Sequence, residues 1–112
     1  MNAPRLTHAL ALETPERVSD GAGGYIESWV VLGTHWAQLI AGSGRETASR
    51  GTSISRVGYK IIVRSAPQGS VQRPEPQQRF RSGNRVFTIQ AVADYDAECR
   101  YLTCFAEEEV VV

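Results

Sequence analysis

The feature that most constrains the fold of this chain is a series of short segments with strand-like alternation of apolar and polar residues. About six or seven such segments follow one another at near-regular spacing, and none shows a sustained helical period. The sequence therefore predicts an all-β fold, either a small antiparallel β-barrel or a sandwich. A barrel is favoured, because closure hides the strand edges that a short open sheet would expose.

The length of 112 residues indicates a single domain over residues 1–112. No run of about 18 apolar residues occurs, so no membrane-spanning segment is predicted. The N-terminus lacks the cationic start and long apolar centre of a signal peptide, which favours the cytoplasm of the cell that makes the protein.

Both tryptophans lie in one central stretch, residues 23–46, for which we expect two antiparallel strands joined at Gly33-Thr34. Trp29 and Trp36 are candidate anchors of the core, since one buried tryptophan removes on the order of 200 Å² from water. The two-residue period leaves the orientation of Trp36 open, because neither face of its segment is cleanly apolar. The candidate core residues are Trp29, Trp36, Val86, Phe87 and Ile89.

The remaining strands are predicted over residues 8–13, 56–66, 78–81, 86–93 and 99–105. The first of them is expected to end at Thr14-Pro15, followed by a surface loop over residues 16–24. Residues 82–84 are typical of a hairpin turn. The tail, residues 106–112, is expected to fray in the isolated protein.

Residues 42–55 hold three glycines and few apolar side chains, so we expect a long loop that is mobile in the free protein. Arginines near both ends indicate that an anionic partner orders it, either DNA or an acidic surface of a neighbouring subunit. Pairing of Glu46 with Arg45 or Arg50 within the loop is the alternative. The candidate contact residues of this loop are Gly42, Ser43, Gly44, Arg45, Glu46, Arg50 and Arg56.

Charges are sorted along the chain, although the formal net charge is zero. Residues 45–85 carry nine basic side chains against two acidic ones, a net charge of +7, whereas residues 94–112 carry six acidic ones against Arg100, a net charge of −5. This asymmetry fits a subunit that meets its neighbours head to tail in a ring. Alternatively, the basic segment fits a small nucleic-acid-binding β-barrel.

No set of residues has catalytic or metal-binding spacing. His8 and His35 lack acidic or cysteine neighbours at ligand spacing, and an acidic turn around Asp96 lacks the glycine and distal glutamate of a calcium loop. Cys99 and Cys104 are expected on opposite faces of a strand, which predicts two reduced thiols without a mutual disulfide. We therefore expect a protein that is not an enzyme and uses no metal or other cofactor.

Four short pieces in a fixed order carry a resemblance to a known family. They are Arg5-Leu6-Thr7-His8 before the first strand, Asp20-Gly21-Ala22-Gly23-Gly24 before a tryptophan-bearing strand, Trp36-Ala37-Gln38 in the strand that ends in Gly42-Ser43-Gly44-Arg45-Glu46, and Gly83-Asn84-Arg85-Val86-Phe87-Thr88-Ile89 before an acidic turn. Together they span nearly the whole chain. In this order the chain resembles the head-to-tail joining proteins of tailed bacteriophages, also called head-closure or stopper proteins.

The resemblance implies a small β-barrel that forms a homo-oligomeric ring beneath the portal and its adaptor. Such a ring closes the DNA-filled head and provides the surface on which tail proteins dock, without catalysis. Residues 42–55 match the family's long loop, which points toward the channel. In this chain the loop is smaller and richer in glycine than in many relatives. It would either line or plug the channel, within reach of packaged DNA. The implied location is the virion, assembled in the host cytoplasm, and the same architecture serves gene transfer agents and prophages.

Overall fold

A computed structural model describes residues 3–49 and 52–111, and the side chains of residues 43–49, 52–54 and 111 lie outside that description. The described part contains six strands and no helix. They are β1 (His8–Ser19), β2 (Tyr25–Ser49), β3 (Thr52–Arg64), β4 (Arg79–Ser82), β5 (Arg85–Asp94) and β6 (Tyr101–Val111). All neighbouring strands are antiparallel, and they close into a barrel in the order β1-β2-β3-β6-β5-β4. The all-β antiparallel barrel predicted from the sequence is confirmed.

The core lies inside the barrel and receives every second side chain of the strands. Cross-strand partners enter it together, as Leu12 does with Phe80 and Val63 with Leu102. Its buried members are Leu10, Leu12, Ala37, Ile61, Val63, Phe80, Phe87, Ile89, Leu102, Cys104 and Ala106. Each large side chain buried in this way stabilises the fold by about 1.5–3 kcal/mol relative to an exposed one.

The two tryptophans are not part of this core. Trp36 is 58% exposed and Trp29 is half-buried. Ala37 is completely buried, so the alternation of the strand turns its neighbour Trp36 outward. The expectation that Trp36 anchors the core is therefore wrong. Of the other candidates, Phe87 and Ile89 are buried, and Val86 is half-buried.

β2 runs without interruption through Gly33-Thr34, so the predicted break into two strands at that point is wrong. The ladder with β1 pairs Leu12 with Gly33 and Glu13 with Val31, which leaves Leu32 as an extra residue. A glycine at this place accompanies a β-bulge, which bends the strand without ending it.

β1 continues past Pro15 to Ser19, so the predicted strand end at Thr14-Pro15 is wrong. The pairing of β1 with β4 stops at Glu13, and from there β1 is paired only with β2. A proline is tolerated there because one edge of the strand has no ladder partner.

The outer part of this hairpin, residues 14–31, is called the first arm. The predicted surface loop 16–24 is reduced to residues 20–24, where Asp20 Oδ1 accepts hydrogen bonds from the backbone N–H groups of Ala22 (2.7 Å) and Gly24 (3.1 Å).

Residues 42–49 and 52–57 form a second long hairpin, which we call the second arm. Its pairing runs from Gly44 with Val57 to Ser49 with Thr52, so the predicted loop is wrong for the described residues, while Arg50 and Gly51 lie outside them. The ladder shifts register between Ala41 and Gly44. At this bulge a Cβ on Gly42 would lie 3.2 Å from the carbonyl oxygen of Gly58, so the close approach of the two backbones favours glycine.

The C-terminal segment is a strand rather than a frayed tail. Residues 106–111 pair with β3 as far as Val111, opposite Ile54, and Ala106 and Glu108 are buried. The expected fraying is wrong because β3 extends further than its sequence pattern indicates and supplies a partner strand.

With both arms the chain measures 51 × 34 × 21 Å and has a radius of gyration of 15.5 Å, against about 13 Å for a compact domain of this length.

Candidate assembly surfaces

The first arm carries an apolar face that no other element covers. On β1, the alternation that turns Leu10 and Leu12 into the core continues to Val18 beyond the barrel. Val18 pairs with Ile26, and their exposed fractions are 48% and 59%. Val30 lies on the same face and is 39% exposed. The core-facing side of the sheet thus extends past the barrel and exposes these three apolar side chains, which we call the apolar strip. The polar pair Glu16 and Ser28 lies between Val30 and the Val18–Ile26 pair on the same face.

A buried carboxylate fixes the base of the first arm to the barrel wall. Glu13 is 3% exposed, and its two oxygens accept hydrogen bonds from Arg79 Nε at 2.7 Å and Arg81 Nε at 2.9 Å. Burial opposes the charge of Glu13, but the two guanidinium groups outweigh it and hold the pKa of the carboxyl below its usual range. Arg79 also lies 3.9 Å above the ring of Trp29, so this tryptophan packs against the outside of the barrel at the start of the arm.

A second ion pair joins β5 to the C-terminal strand. Arg85 holds Glu108 through Nε at 2.9 Å and Nη2 at 3.1 Å, and its Nη2 also donates to the hydroxyl of Tyr59 at 3.1 Å. Hydrogen bonding to Glu108 raises the pKa of Arg85. This bidentate pair explains why a glutamate can lie buried near the end of β6.

Four of the nine basic residues between positions 45 and 85 have a carboxylate partner within the subunit. Arg79, Arg81 and Arg85 come from the basic half, and their partners come from β1 and the acidic C-terminal strand. Arg56 Nε lies 3.4 Å from Glu109 Oε2, without a hydrogen bond of good geometry. These ion pairs offset part of the net charge of +7 over residues 45–85, whereas Arg64 and Arg73 form no ion pair among the described residues.

The residues predicted to contact DNA or a neighbouring subunit are gathered on the second arm. Residues 42–46 lie on β2 and Arg56 lies on β3 at its base, whereas Arg50 lies outside the described residues. The side chains of Ser43, Arg45 and Glu46 are likewise not described, so both the anionic partner and the pairing of Glu46 remain predictions.

Within the described residues there is no group of three or more histidine, cysteine or acidic side chains that could hold a metal ion. The carboxylate of Asp96 instead accepts hydrogen bonds from the backbone N–H of Arg100 at 2.9 Å and from its Nε at 3.2 Å, which shapes the turn between β5 and β6. Cys99 is exposed and Cys104 is buried, and both are free thiols as predicted. Burial raises the pKa of Cys104 to about 12, so this thiol stays protonated.

An open cleft at one end of the barrel was not indicated by the sequence, and we call it the end cleft. It is a shallow depression of about 730 Å³ between the end of β3, residues 65–73 and the β5–β6 turn. Arg64, Arg73, Arg100 and Tyr101 line it together with Asp94. The arginines are scattered over 37 positions of the sequence, from 64 to 100, so only the folded barrel brings them together.

No helix in the described part of the chain is long and apolar enough to cross a membrane.

A closed antiparallel barrel with two projecting hairpins, paired internal charges and an uncovered apolar strip is the architecture of an assembly subunit. Comparison with known proteins agrees with this class. A family model described as "Phage head completion protein" matches residues 1–109, so the chain belongs to the phage head completion protein family.

Solved structures include a similar chain from a "Virion of native gene transfer agent (GTA) particle". The two chains share 50% sequence identity over 98% of this chain and 100% of the other, with a TM-score of 0.88. No curated protein matches the sequence significantly.

Proposed function

We propose that this protein is a structural subunit of the head-to-tail connector of a phage or gene transfer agent particle. It forms a homo-oligomeric ring beneath the portal and adaptor, closes the DNA-filled head and provides the surface on which the tail docks. The observation that carries the proposal is the similarity, over the full length of both chains, to a chain of a gene transfer agent virion. Membership of the head completion family supports the same position at the head opening.

The first arm supports assembly with other subunits. Its exposed strip of Val18, Ile26 and Val30 would cost free energy in water and gains stability when a neighbour covers it. Beyond Glu13, β1 also has no second partner strand. Strand edges and apolar strips of this kind are usually covered in the assembled state.

The second arm is the element that faces the channel in this proposal. It projects from the barrel at the bulge between Ala41 and Gly44, and Arg45 and Arg50 are the residues that would meet packaged DNA or an acidic surface of the next subunit. Lining the channel and plugging it both require the tip of the arm to extend beyond the barrel wall.

The pairing of the basic residues argues against a free nucleic-acid-binding barrel. Arg56, Arg79, Arg81 and Arg85 each have a carboxylate partner in the same subunit. Contacts to phosphate would have to displace these partners, and the ion pairs around Glu13 and Glu108 are partly buried.

The test is a deletion of the gene in a strain that makes the particles. Electron micrographs should show full-sized heads without joined tails, and expression of the wild-type chain in trans should restore joined particles. Joined, normal particles from the deletion strain would contradict the proposal. In solution, the chain alone should scatter light as a monomer or weak oligomer and should form a stable complex only with the portal and adaptor.

A further inference from the structure

The end cleft holds two guanidinium groups without a carboxylate partner. The chain enters the cleft after β3, where Ser65 N–H donates to the carbonyl of Arg100 at 2.9 Å. Arg73 Nη1 donates to the carbonyl of Ala66 at 2.8 Å, which holds this side chain against the cleft wall. Arg64 lies 6.0 Å above the ring of Tyr101, also in the wall. Among the described residues, neither Arg64 nor Arg73 forms an ion pair.

The third arginine of the cleft is already neutralised. Arg100 pairs with Asp96 at 3.2 Å and lies 3.8 Å from Glu98. Asp94 interacts with the thiol of Cys99, and its charge is the main reason that the pKa of this thiol is raised. Arg64 and Arg73 are therefore the two guanidinium groups of the cleft that are free to bind an anion, and Asp94 adds one opposing charge to the wall.

An exposed aromatic surface adjoins these arginines. A smaller cleft of about 300 Å³, lined by Trp36, His35 and Gln72, shares Arg64 in its wall. Trp36 is 58% exposed, which is unusual for so large an apolar side chain. Surfaces that pair tryptophan with arginine are enriched at the centres of protein interfaces.

We propose that the end cleft binds a carboxylate-bearing peptide segment of another protein. Arg64 and Arg73 hold the carboxylate, and Trp36 packs against an apolar side chain next to it. Arginine is suited to this contact because its planar guanidinium can donate two parallel hydrogen bonds to one carboxylate. That the segment belongs to a neighbouring protein of the particle rests on the proposed function, whereas the chemistry of the cleft does not.

The acidic rim of the cleft favours a single carboxylate over DNA. Asp94 is exposed and lines the cleft, and Glu98 is exposed on the same turn. A nucleic acid strand carries a phosphate at every nucleotide and would place further negative charges against these two residues. A peptide with one or two carboxylates brings fewer negative charges to this rim and meets less repulsion than a nucleic acid strand.

The experiment is an NMR titration of the isolated, isotope-labelled chain. The probe is a capped peptide of two glutamates flanked by leucines, and the matched control has glutamine in place of glutamate. Signals of the Arg64 and Arg73 side chains and of the Trp36 indole should shift with the glutamate peptide. The affinity for the glutamine peptide should be at least about tenfold lower, because a hydrogen bond to a charged partner is stronger than one to a neutral partner.

Variants locate the contact. Arg64→Gln and Arg73→Gln should each weaken binding of the glutamate peptide about tenfold. Arg17→Gln is the control, because Arg17 stacks on Tyr25 in the first arm, outside the residues that line the end cleft. Arg64 is exposed, so Arg64→Gln should leave the fold intact. A loss of peptide binding in this variant therefore reports on the cleft and not on unfolding.

Several results would overturn the proposal. They are equal binding of the two peptides, shifts confined to residues outside the end cleft and the smaller cleft that holds Trp36, no shift at roughly 10 mM peptide, or tighter binding of a twelve-nucleotide oligothymidylate at the end cleft. Because the titration uses the isolated chain, failure here leaves the connector proposal intact. Failure of the connector test likewise leaves the cleft chemistry intact.

Discussion

At the scale of single residues, burial rather than size decides which aromatic side chains stabilise the barrel. Phe87 is completely buried, whereas Trp36 is 58% exposed. We expect Phe87→Ala to cost about 3–5 kcal/mol of the free energy of unfolding, through lost burial and the cavity left behind. Trp36→Ala should change it by less than about 1 kcal/mol, since a side chain at the surface loses few contacts. Urea unfolding of both variants measures the difference, and equal losses would contradict it.

The Glu13 cluster makes the stability of the barrel depend on pH. The folded state lowers the pKa of Glu13, so the unfolded state binds more protons in acid. The contribution of Glu13 is therefore complete above the unfolded pKa of about 4.3 and is lost as the pH falls through the lower, folded pKa. At pH 7, Glu13→Gln should cost about 1.5–3 kcal/mol, because two charge-assisted hydrogen bonds are weakened.

The measurement is denaturant unfolding of both proteins at a series of pH values. The difference between wild type and Glu13→Gln should shrink as the pH falls below about 4. The matched control is Glu109→Gln, since Glu109 is 54% exposed and pairs with Arg56 at the surface, where such pairs contribute roughly 0–1 kcal/mol. A constant difference across the acid range would show that Glu13 does not titrate as inferred.

Local sequence order reveals the burial of some of these side chains but not of others. Phe87 and Ile89 lie in a strand whose apolar residues alternate clearly, so their segment is evident from local order. Trp36 lies in a segment whose two faces are equally mixed, and only the pairing with β1 turns Ala37 inward. The end cleft has no local signal at all, because its residues come from three separate parts of the chain.

At the scale of elements, the positions of the strands follow from the sequence, but their lengths and the continuity of β2 do not. Glycine marks turns in most short β-proteins, yet Gly33 lies at a bulge, and Gly42 allows two backbones to approach closely. Pro15 ends no strand because one edge of β1 is unpaired there. In each case the partner strand supplies hydrogen bonds that local propensity does not reveal.

The outer β2 residues of the second arm should be poorly protected in the free protein. Residues 44–49 of β2 pair only with β3, whereas residues 54–57 of β3 also pair with β6. A strand that is paired on one side only opens locally more easily than one that is paired on both sides. We expect backbone amides of residues 44–49 to exchange hydrogen much faster than those of Ile61–Val63, which lie between β2 and β6 and are buried. Exchange of the arm should slow on assembly with the portal and adaptor, as predicted for a segment ordered by its partner.

Mass-spectrometric hydrogen exchange on free and assembled protein measures this change. Residues 61–63 are the internal control, since their protection should be the same in both states. Equal protection of the arm and the control in the free monomer would contradict the predicted mobility. Unchanged fast exchange in the assembly would show that the arm contacts neither DNA nor a neighbouring subunit.

At the scale of the whole molecule, the elongated shape separates a stable barrel from surfaces that need partners. The barrel buries its own core and pairs the buried carboxylates Glu13 and Glu108 with arginines, so we expect it to fold without partners. The first arm instead leaves apolar residues in water at one side of the barrel. We therefore expect folding and assembly to depend on different residues, so that a substitution on the arm affects assembly without affecting folding.

Ile26→Asp tests this separation. Ile26 is 59% exposed, so a carboxylate there remains hydrated in the free chain and should change the melting temperature little. In the assembly the same carboxylate would be buried without a partner, which costs far more than the lost apolar contact. We therefore expect Ile26→Asp to remain a folded monomer that fails to form a complex with the portal and adaptor, as measured by light scattering.

The matched control is Val71→Asp in the connection between β3 and β4, where Val71 is 67% exposed and no apolar strip continues from the core. If both variants assemble like the wild type, the first arm is not an assembly surface, whereas loss of assembly in Ile26→Asp alone assigns that role to its apolar strip.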